Sequence, residues 1–224
     1  MKIGIIGLGF VGLSLASVLA SKNYKVVGID IDKKKCQVIS NGVPPFFEPD
    51  LEKTLKIGLK KGLKLSNDYS LISDCDCIFV TVGTPQKSDG SIELRMMKKA
   101  VETIGKNLYK NNGNPTIFIK STVIPGTIKN KILPILEKKS KKKAGKEFGL
   151  ISNPEFLQEG NAINDTKFPH VVVLGGDQTK YMKRAKEFFT KLHPKTSIII
   201  TNHQTAEMIK YANNSFLATK ISFI

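Results

Sequence analysis

The first thirty residues join two apolar runs, a glycine-rich turn and an acidic residue in an order that few folds accommodate. The apolar run at residues 3–6 leads into Gly7-Leu8-Gly9-Phe10-Val11-Gly12, and a helical pattern and a second apolar run, Lys25–Ile29, then lead to Asp30. In such a unit the first glycine makes a tight turn, the second lets the backbone approach a pyrophosphate, and the third lets the helix pack on the strand. The segment therefore predicts a dinucleotide-binding βαβ unit.

Asp30 indicates which dinucleotide this unit binds. A carboxylate about 20 residues after the glycines can accept hydrogen bonds from ribose hydroxyls, and it would repel the additional phosphate of NADP. The free N–H groups at the start of the helix would bind the pyrophosphate. We therefore expect NAD as the cofactor. Lys33, Lys34 and Lys35 follow closely enough to reach a phosphate, and a solvated helix face explains them equally well.

Apolar runs rich in β-branched residues alternate with helical patterns along the rest of the chain. The runs lie at residues 77–82, 116–119, 149–151, 171–174 and 197–200. This alternation is typical of a mostly parallel sheet with helices on both faces. We expect a doubly wound α/β fold of the Rossmann type in residues 1–201, followed in residues 202–224 by the start of a long helix.

A proline-rich segment interrupts this alternation between the second apolar run and a helix expected from about Asp50. Residues 43–49 read Val-Pro-Pro-Phe-Phe-Glu-Pro. The segment is either a rigid connector or the edge of a lid.

Composition excludes several other classes of protein. The net charge of +16 comes almost wholly from lysine, and Arg95 and Arg184 are the only arginines. Nucleic-acid-binding surfaces usually concentrate arginine and aromatic residues on one face, and that pattern is missing. The spacing of Cys36, Cys75 and Cys77 suits neither a disulfide framework nor a zinc site, so we expect reduced thiols and no metal. Without a signal peptide or a membrane-length apolar run, a cytoplasmic protein is the simplest interpretation.

Polar side chains follow three of the predicted strands directly. The segments are Gly83-Thr84-Pro85, Lys120-Ser121-Thr122 and, after Ser152, Asn153-Pro154-Glu155-Phe156-Leu157-Gln158-Glu159. Ligands of open α/β sheets bind beyond the carboxyl ends of the strands, so these segments predict a binding site.

The last segment has helical spacing from Gln204 onward. Lys210 and Asn214 stand four residues apart and therefore share one helix face. Glu207 and Lys210 could also form an ordinary surface pair. An apolar stripe, Ile209, Phe216, Leu217 and Ile224, has little to cover it, so we expect this helix to associate or fray.

Together these motifs resemble the nucleotide-sugar 6-dehydrogenases, which oxidise UDP-glucose or GDP-mannose to the uronic acid. The resemblance extends over the whole chain. It is carried by residues 7–12 with Asp30, 47–49, 82–85, 120–123 with 125–127, 153–157 with 159–160, and 206–211 with Asn214.

The resemblance implies a double oxidation of a primary alcohol by NAD, through an aldehyde, a cysteine thiohemiacetal and a thioester. Lys210 and Asn214 match the residues that stabilise the developing alkoxide. Glu155 matches the base that activates the hydrolytic water, and Thr122 matches the hydroxyl that holds this water. From the residues alone, Glu155 could equally be an idle carboxylate at a helix start after Pro154, and Thr122 an ordinary hydroxyl at a strand end.

The resemblance also implies the residues that contact each ligand. The substrate would contact Glu155, Phe156, Leu157, Lys210 and Asn214. NAD would contact Gly7, Gly9, Phe10, Val11, Gly12, Asp30, Lys35, Val82, Gly83, Thr84, Pro85, Ser121, Thr122 and Glu159.

Two departures from the family pattern matter. The family's cysteine nucleophile, its acidic partner and the sugar-nucleotide domain lie beyond the equivalent of Ile224, so we expect an amino-terminal portion that binds NAD but does not complete the reaction. Pro169-His170-Val171 also lacks the Asp-Arg pair common in UDP-glucose members.

The identity of the sugar and the assembly are further expectations from the resemblance. Residues 124–127 and 142–149 look like GDP-mannose members, whereas residues 214–220 look like UDP-glucose members. We favour UDP-glucose, with GDP-mannose or UDP-N-acetylmannosamine as alternatives. The resemblance implies a homodimer formed through the helix that starts near Gln204. A non-catalytic NAD-binding module is the alternative from another class.

Overall fold

Eight strands form a single sheet in the residues that the computed structural model describes, which are 1–109, 113–177 and 179–224. The strand order is β3-β2-β1-β4-β5-β6-β7-β8. Neighbouring strands are parallel except β6 and β7, which pair antiparallel through Ser152 and Gly175. The strands are β1 (Lys2–Ile6), β2 (Lys25–Ile29), β3 (Lys64–Ser66), β4 (Cys77–Val80), β5 (Thr116–Ile119), β6 (Gly149–Ser152), β7 (Val171–Gly175) and β8 (Ser197–Thr201). The expected Rossmann-like, mostly parallel sheet is confirmed.

Helices connect the strands. They are α1 (Phe10–Ser21), α2 (Lys33–Ser40), α3 (Leu51–Lys60), α4 (Arg95–Leu108), α5 (Leu133–Ser140), α6 (Ala162–Lys167), α7 (Thr179–Leu192) and α8 (His203–Phe223). A 3₁₀ turn, Tyr69–Ile72, precedes β4, and a π-helical turn, Ile128–Ile132, precedes α5. The chain leaves β1 toward β2 on one side, and β4 lies on the other side. The glycine turn after β1 therefore lies at the point where the strand order reverses, which is where ligands of such sheets bind.

Apolar side chains fill both faces of the sheet. One cluster joins the sheet to α1, α3, α6 and α7 and includes the rings of Phe79 and Phe118, which stack with centroids 4.6 Å apart. The other cluster joins the sheet to α4 and α5 through residues such as Met97, Ile104 and Leu136. Helices therefore cover both faces, as expected.

Two strands differ from the sequence expectation. The three-residue edge strand β3 was not predicted, because Lys64–Ser66 is too short to show an alternating pattern. Strand β4 ends at Val80 rather than at residue 82. The cause is Thr81, whose hydroxyl donates to the carbonyl oxygens of Ile6 and Gly7 at 2.9 and 2.8 Å, so that the chain turns away from the sheet there.

Helix α8 is buried at its start and exposed at its end. Asn202 caps it by accepting a hydrogen bond from the Thr205 N–H at 2.9 Å. The first turns pack on β6 and β7, whereas Phe216 is 67% exposed and Ile224 is 97% exposed. Within the described ranges, no helix combines the length and the apolar character needed to span a bilayer.

Candidate functional site

Two of the three glycines in the turn after β1 meet a steric demand, and the third leaves space open at the start of α1. Gly7 has φ +95°, a conformation that L side chains rarely adopt. A Cβ on Gly12 would lie 1.9 Å from the Gly7 carbonyl oxygen, so only glycine lets α1 approach the turn so closely. A Cβ on Gly9 would have no atom within 4 Å. The backbone at Gly9 thus faces open space at the start of α1, where a pyrophosphate fits.

Asp30 braces this turn from the end of β2. Its Oδ2 accepts a hydrogen bond from the Leu8 N–H at 2.8 Å, and its Oδ1 accepts one from the Asp32 N–H at 3.0 Å. The Lys35 ammonium lies 2.5 Å from Oδ2. Lys35 therefore binds the carboxylate, while Lys33 and Lys34 are exposed at the start of α2.

A cavity of about 570 Å³ opens beside the turn and Asp30. It suits the adenosine half of a dinucleotide because it combines apolar walls with the Asp30 carboxylate. Burial, and to a smaller extent the Asp30 charge, raise the pKa of Tyr69 to about 12, so its hydroxyl stays protonated and can donate. The lining includes Gly7, Gly9, Asp30, Lys35, Val82 and Gly83, together with Tyr69, Met96, Lys99 and Thr103. The last four were not predicted, since none belongs to a recognisable motif.

The segments after β4 and β5 are tied to each other. The Thr84 hydroxyl donates to the Thr122 carbonyl oxygen at 2.8 Å, and the Ser121 hydroxyl donates to the Val82 carbonyl oxygen at 2.6 Å. These bonds hold two predicted cofactor-binding segments together at the carboxyl edge of the sheet.

Residues 43–49 form a connector that is fixed to α6. The buried Glu48 carboxylate accepts hydrogen bonds from the Gly160 N–H at 3.0 Å and the Ala162 N–H at 2.7 Å. Phe46 contacts Phe10 with ring centroids 5.6 Å apart, whereas Phe47 is 92% exposed. The segment therefore reaches the glycine turn as well as α6.

Glu155 and Lys210 meet although 55 residues separate them in the chain. The Lys210 Nζ lies 3.0 Å from the Glu155 Oε1, with 8% and 17% of the two side chains exposed. The other carboxylate oxygen, Oε2, accepts a hydrogen bond from the Leu157 N–H at 2.6 Å. The ammonium also lies 5.3 Å from the Phe156 ring centroid. The ion pair is therefore largely buried. It joins the turn after β6 to the last buried residue of α8.

Glu155 does not lie at a helix start, which the alternative drawn from the residues alone required. Residues 153–158 form an irregular turn, and the next helix begins at Ala162. Glu48 rather than Glu155 accepts the N–H at the start of that helix.

The alternative that Glu207 and Lys210 form a surface pair is also wrong. As whole residues, Glu207 and Lys210 are 2% and 6% exposed. The Glu207 carboxylate accepts hydrogen bonds from the Gly126 and Ile128 N–H groups, at 2.5 and 2.8 Å, so it joins α8 to the segment after β5. Burial raises the pKa of Glu207 while these two donors oppose the rise.

Lys120 is a member of this cluster that sequence reasoning placed at a strand end without a role. Its Nζ lies 3.1 Å from the Asn153 Oδ1 and 3.4 Å from the Asn153 carbonyl oxygen. Burial lowers the pKa of Lys120 to about 8, with the Lys210 charge adding to the effect and the Glu155 charge opposing it. No sequence period or spacing could have shown this burial.

The remaining predicted residues lie at the margin of the cluster. Thr122 is half-buried, and Pro85, Glu159 and Asn214 are exposed. Asn214 is one turn beyond Lys210 on α8, as predicted. In the described part of the chain, no hydrogen bond or ion pair joins the side chains of Glu159 or Asn214 to Glu155 or Lys210. No three His, Cys, Asp or Glu side chains of that part are grouped as a metal site requires.

Comparisons with known proteins agree with this geometry. Residues 1–193 match the model of the UDP-glucose/GDP-mannose dehydrogenase family, NAD binding domain. The GDP-mannose 6-dehydrogenase of Pseudomonas syringae pv. tomato is 40% identical over 227 residues, which cover 100% of this chain and 51% of the relative. The UDP-glucose 6-dehydrogenase of Haloferax volcanii is 36% identical and aligns with 99% of this chain and 52% of its own length.

A crystal structure of a ternary complex of GDP-mannose dehydrogenase from Pseudomonas aeruginosa superposes with a TM-score of 0.95 at 36% identity, covering 100% of this chain and 51% of that chain. The chain thus spans about half the length of the relatives that it matches. With the glycine turn, the Asp30 cavity and the family match in agreement, the chain carries an NAD-binding domain and belongs to the UDP-glucose/GDP-mannose dehydrogenase family.

Proposed function

We propose that the protein oxidises the C6 alcohol of a nucleotide sugar to the uronic acid with NAD, and that residues 1–201 supply the NAD site. The observation that carries this proposal is the buried pair of Lys210 and Glu155, 3.0 Å apart, at the same sheet edge as the glycine turn. The pair brings a fixed cation and a carboxylate to an edge where the family binds NAD.

Lys210 and its neighbours would bind the sugar and stabilise the charge that forms on it. NAD supplies the hydride acceptor when it is bound. The Lys210 ammonium would stabilise the negative charge that develops on the alcohol oxygen, an effect that is strong where water is excluded. Asn214, one turn further along α8, would donate a hydrogen bond to the same oxygen. Phe156 and Leu157 would contact the sugar from the turn that carries Glu155.

Glu155 would act in the hydrolytic step. A general base must lie within hydrogen-bond reach of the water that it activates. Its Oε2 is held by the Leu157 N–H at 2.6 Å, and Thr122 lies at the end of the neighbouring strand, where its hydroxyl could hold the water. Glu159 would contact the nicotinamide end of NAD.

None of the three cysteines of this chain is suited to be the nucleophile that the resemblance implies. All three are buried, and burial raises the pKa of Cys75 and of Cys77 to about 12. The thiolate is the reactive form, so these thiols are inert at neutral pH. We propose that polypeptide outside these 224 residues supplies the reactive thiol.

The preference for UDP-glucose is not confirmed, because the P. syringae GDP-mannose enzyme, at 40% identity, exceeds the H. volcanii UDP-glucose enzyme, at 36%. GDP-mannose is therefore an equal candidate. Residues 202–224 would begin the helix through which two copies associate.

Two measurements test the proposal. Calorimetric titration of the 224-residue chain with NAD is expected to show binding that the Lys210→Met variant retains. The full-length protein that contains this chain is expected to release two NADH per UDP-glucose or GDP-mannose, and Lys210→Met is expected to abolish that release. NAD binding without NADH release from any nucleotide sugar would instead support a non-catalytic NAD-binding module.

A further inference from the structure

Lys120 lies where β5 ends and reaches across to the turn that follows β6. Its backbone N–H donates to the Val80 carbonyl oxygen at 2.9 Å, so its position relative to β4 is fixed. Its ammonium donates to the Asn153 side-chain oxygen at 3.1 Å and approaches the Asn153 carbonyl oxygen at 3.4 Å. Hydrogen bonds from a charged donor are roughly twice as strong as neutral ones, so this contact restrains Asn153 effectively.

Asn153 is held from two further directions. Its side-chain amide donates to the Val173 carbonyl oxygen of β7 at 2.9 Å, and its backbone N–H donates to the Ile119 carbonyl oxygen of β5 at 2.9 Å. Asn153 is 2% exposed. It therefore joins three strands two residues before Glu155, and Lys120 supplies the charged donor at this junction.

The ammonium of Lys120 also borders a small cavity. This cavity measures about 60 Å³ and is lined by Lys120, Asn153, Glu155 and Phe156, with Thr166 of α6 and His193 after α7. The space is large enough to hold water. The buried Thr166 hydroxyl finds no hydrogen-bond partner among the described residues, which gives such a water a polar contact. Lys120 as a whole residue is half-buried, and its side chain lines this cavity.

We propose that Lys120 is a positioning residue for the reaction described above, on which this inference rests. Its ammonium fixes the Asn153 turn and, together with Lys210, places the Glu155 carboxylate between two cations. Glu155 could not keep this position if the turn moved, because Lys210 reaches it from a separate element, α8. Lys120 itself needs no contact with substrate or cofactor.

The electrostatics of the cluster agree with this arrangement. The pKa of Lys120 is lowered to about 8 by burial, with the Glu155 charge opposing this shift and the Lys210 charge adding to it. The ionisable groups that face the cavity from the other packed elements are Asp165 of α6, His170 before β7 and His193. Burial lowers the pKa of His193 to about 4, and the Lys120 charge contributes to that shift. At neutral pH Lys120 is therefore mostly charged beside a neutral His193.

The first test measures the coupling in the chain itself and needs no turnover. Titration of ¹³C-labelled lysine side chains by NMR, with the Lys120 signal assigned from its loss in Lys120→Arg, is expected to give a midpoint near 8. Glu155→Gln removes the charge that opposes the shift, so the midpoint should fall. Lys210→Met removes a cation, so the midpoint should rise. Lys138→Met, on the exposed side of α5, is the matched control and should leave the midpoint in place.

The coupling would be overturned by a Lys120 midpoint that neither Glu155→Gln nor Lys210→Met moves. This result does not depend on whether the protein turns over a nucleotide sugar. It therefore separates a failure of this inference from a failure of the proposed function.

The second test asks whether Lys120 acts through Glu155 during turnover of the full-length protein. Lys120→Met should lower kcat by about 10²-fold, the loss expected when a reacting group is displaced by about 1 Å, while the KM for NAD stays unchanged. Lys120→Arg should recover part of the rate and move the alkaline limb of the pH profile upward, because a guanidinium does not lose its proton in that range. Equal losses of kcat, NAD affinity and folding stability in both variants would show that Lys120 has only a structural role, and the proposal would be wrong.

Discussion

At the scale of single residues, buried ionisable groups make the stability of this chain depend on pH. His193 is 7% exposed, and its Nδ1 lies 3.3 Å from the Lys167 carbonyl oxygen. Burial lowers its pKa to about 4, and the Lys22 charge adds to this shift. The folded state thus binds a proton less readily than the unfolded state, whose His193 titrates near 6.5.

The sign of this effect gives the first prediction. Between pH 6.5 and 4 the unfolded state carries more protons at His193, so the free energy of unfolding falls as pH falls through that window. At about 1.4 kcal/mol per pKa unit, the change from 6.5 to about 4 corresponds to about 3.4 kcal/mol over the whole window. Urea denaturation at pH 7 and pH 4.5 should show that His193→Gln loses part of this pH dependence, whereas His170→Gln, at an exposed site, keeps it. An unchanged pH dependence in His193→Gln would contradict the assignment.

The second prediction concerns Asp30 and the choice of dinucleotide. Asp30→Asn removes the negative charge that we expect to bind the ribose, and it releases the Lys35 ammonium, which lies 2.5 Å from the carboxylate. NAD affinity should fall about 10-fold, as expected for a lost charged hydrogen bond, and the ratio of NAD to NADP affinity should fall further because Lys35 could then bind a 2′-phosphate. Calorimetric titration with both dinucleotides measures this. Asp74→Asn, on the surface, is the control, and an unaltered NAD-to-NADP ratio in Asp30→Asn would count against the assigned role.

The geometry of the glycine turn could be predicted from the sequence, because it depends on local steric requirements, as at Gly7 and Gly12. The environments of Lys120, Asn153 and Glu207 could not, since their burial depends on where α8 and the turn after β6 meet in space. The 55-residue separation of Glu155 and Lys210 shows the same limit. The resemblance to a known family predicted both residues as site residues. The hydrophobic pattern alone gives no indication that they are in contact.

At the scale of secondary structure elements, α8 is held to the sheet by side chains of opposite charge. Glu207 binds two backbone N–H groups after β5, and Lys210 binds Glu155 after β6. The two anchors lie three residues apart on one helix face. The two contacts together fix the position of α8, and therefore of Lys210, relative to the segments after β5 and β6.

The third prediction tests this docking. In Glu207→Gln an amide N–H₂ would face one of the two backbone N–H donors, so a buried donor loses its acceptor. The free energy of unfolding should fall by about 1–3 kcal/mol. Glu52→Gln, which breaks an exposed pair with Lys56, should cost less than about 1 kcal/mol. Urea denaturation measures both variants, and equal losses would mean that Glu207 does not anchor α8.

Element positions followed from periodicity wherever a strand was buried on both faces. The runs at β5, β6 and β7 match the strands to within one residue, because a continuous apolar run has one compatible position in such a sheet. The run at β8 matches its strand equally well, although this edge strand is only partly buried. Strand β3 was not predicted. Strand β4 is shorter than predicted, and the hydrogen bonds of the Thr81 hydroxyl to the end of β1 and the turn after it depend on residues far away in the sequence.

At the scale of the whole molecule, the sheet and its two core clusters leave an extended apolar surface uncovered near the end of the chain. It lies on the last turns of α8, where Phe216, Leu217, Ile221, Phe223 and Ile224 are 45–97% exposed. A helix half without tertiary contacts is marginal in water, because packing rather than propensity supplies most helix stability. In the 224-residue chain on its own, we therefore expect these turns either to fray or to pack against another copy.

The last prediction separates these two behaviours. If two copies associate through α8, light scattering should show a mass that rises with concentration, and the amides of residues 214–223 should become protected from hydrogen exchange in the same range. Phe216→Glu combined with Ile221→Glu should remove both effects and leave the sheet amides protected, because neither side chain contacts the core clusters. Lys220→Glu, which changes charge on the same helix without removing apolar surface, should leave association largely intact. Full protection of these amides in a chain that stays monomeric would show that the apolar surface is covered from within the chain, and the proposed helix-mediated association would then be wrong.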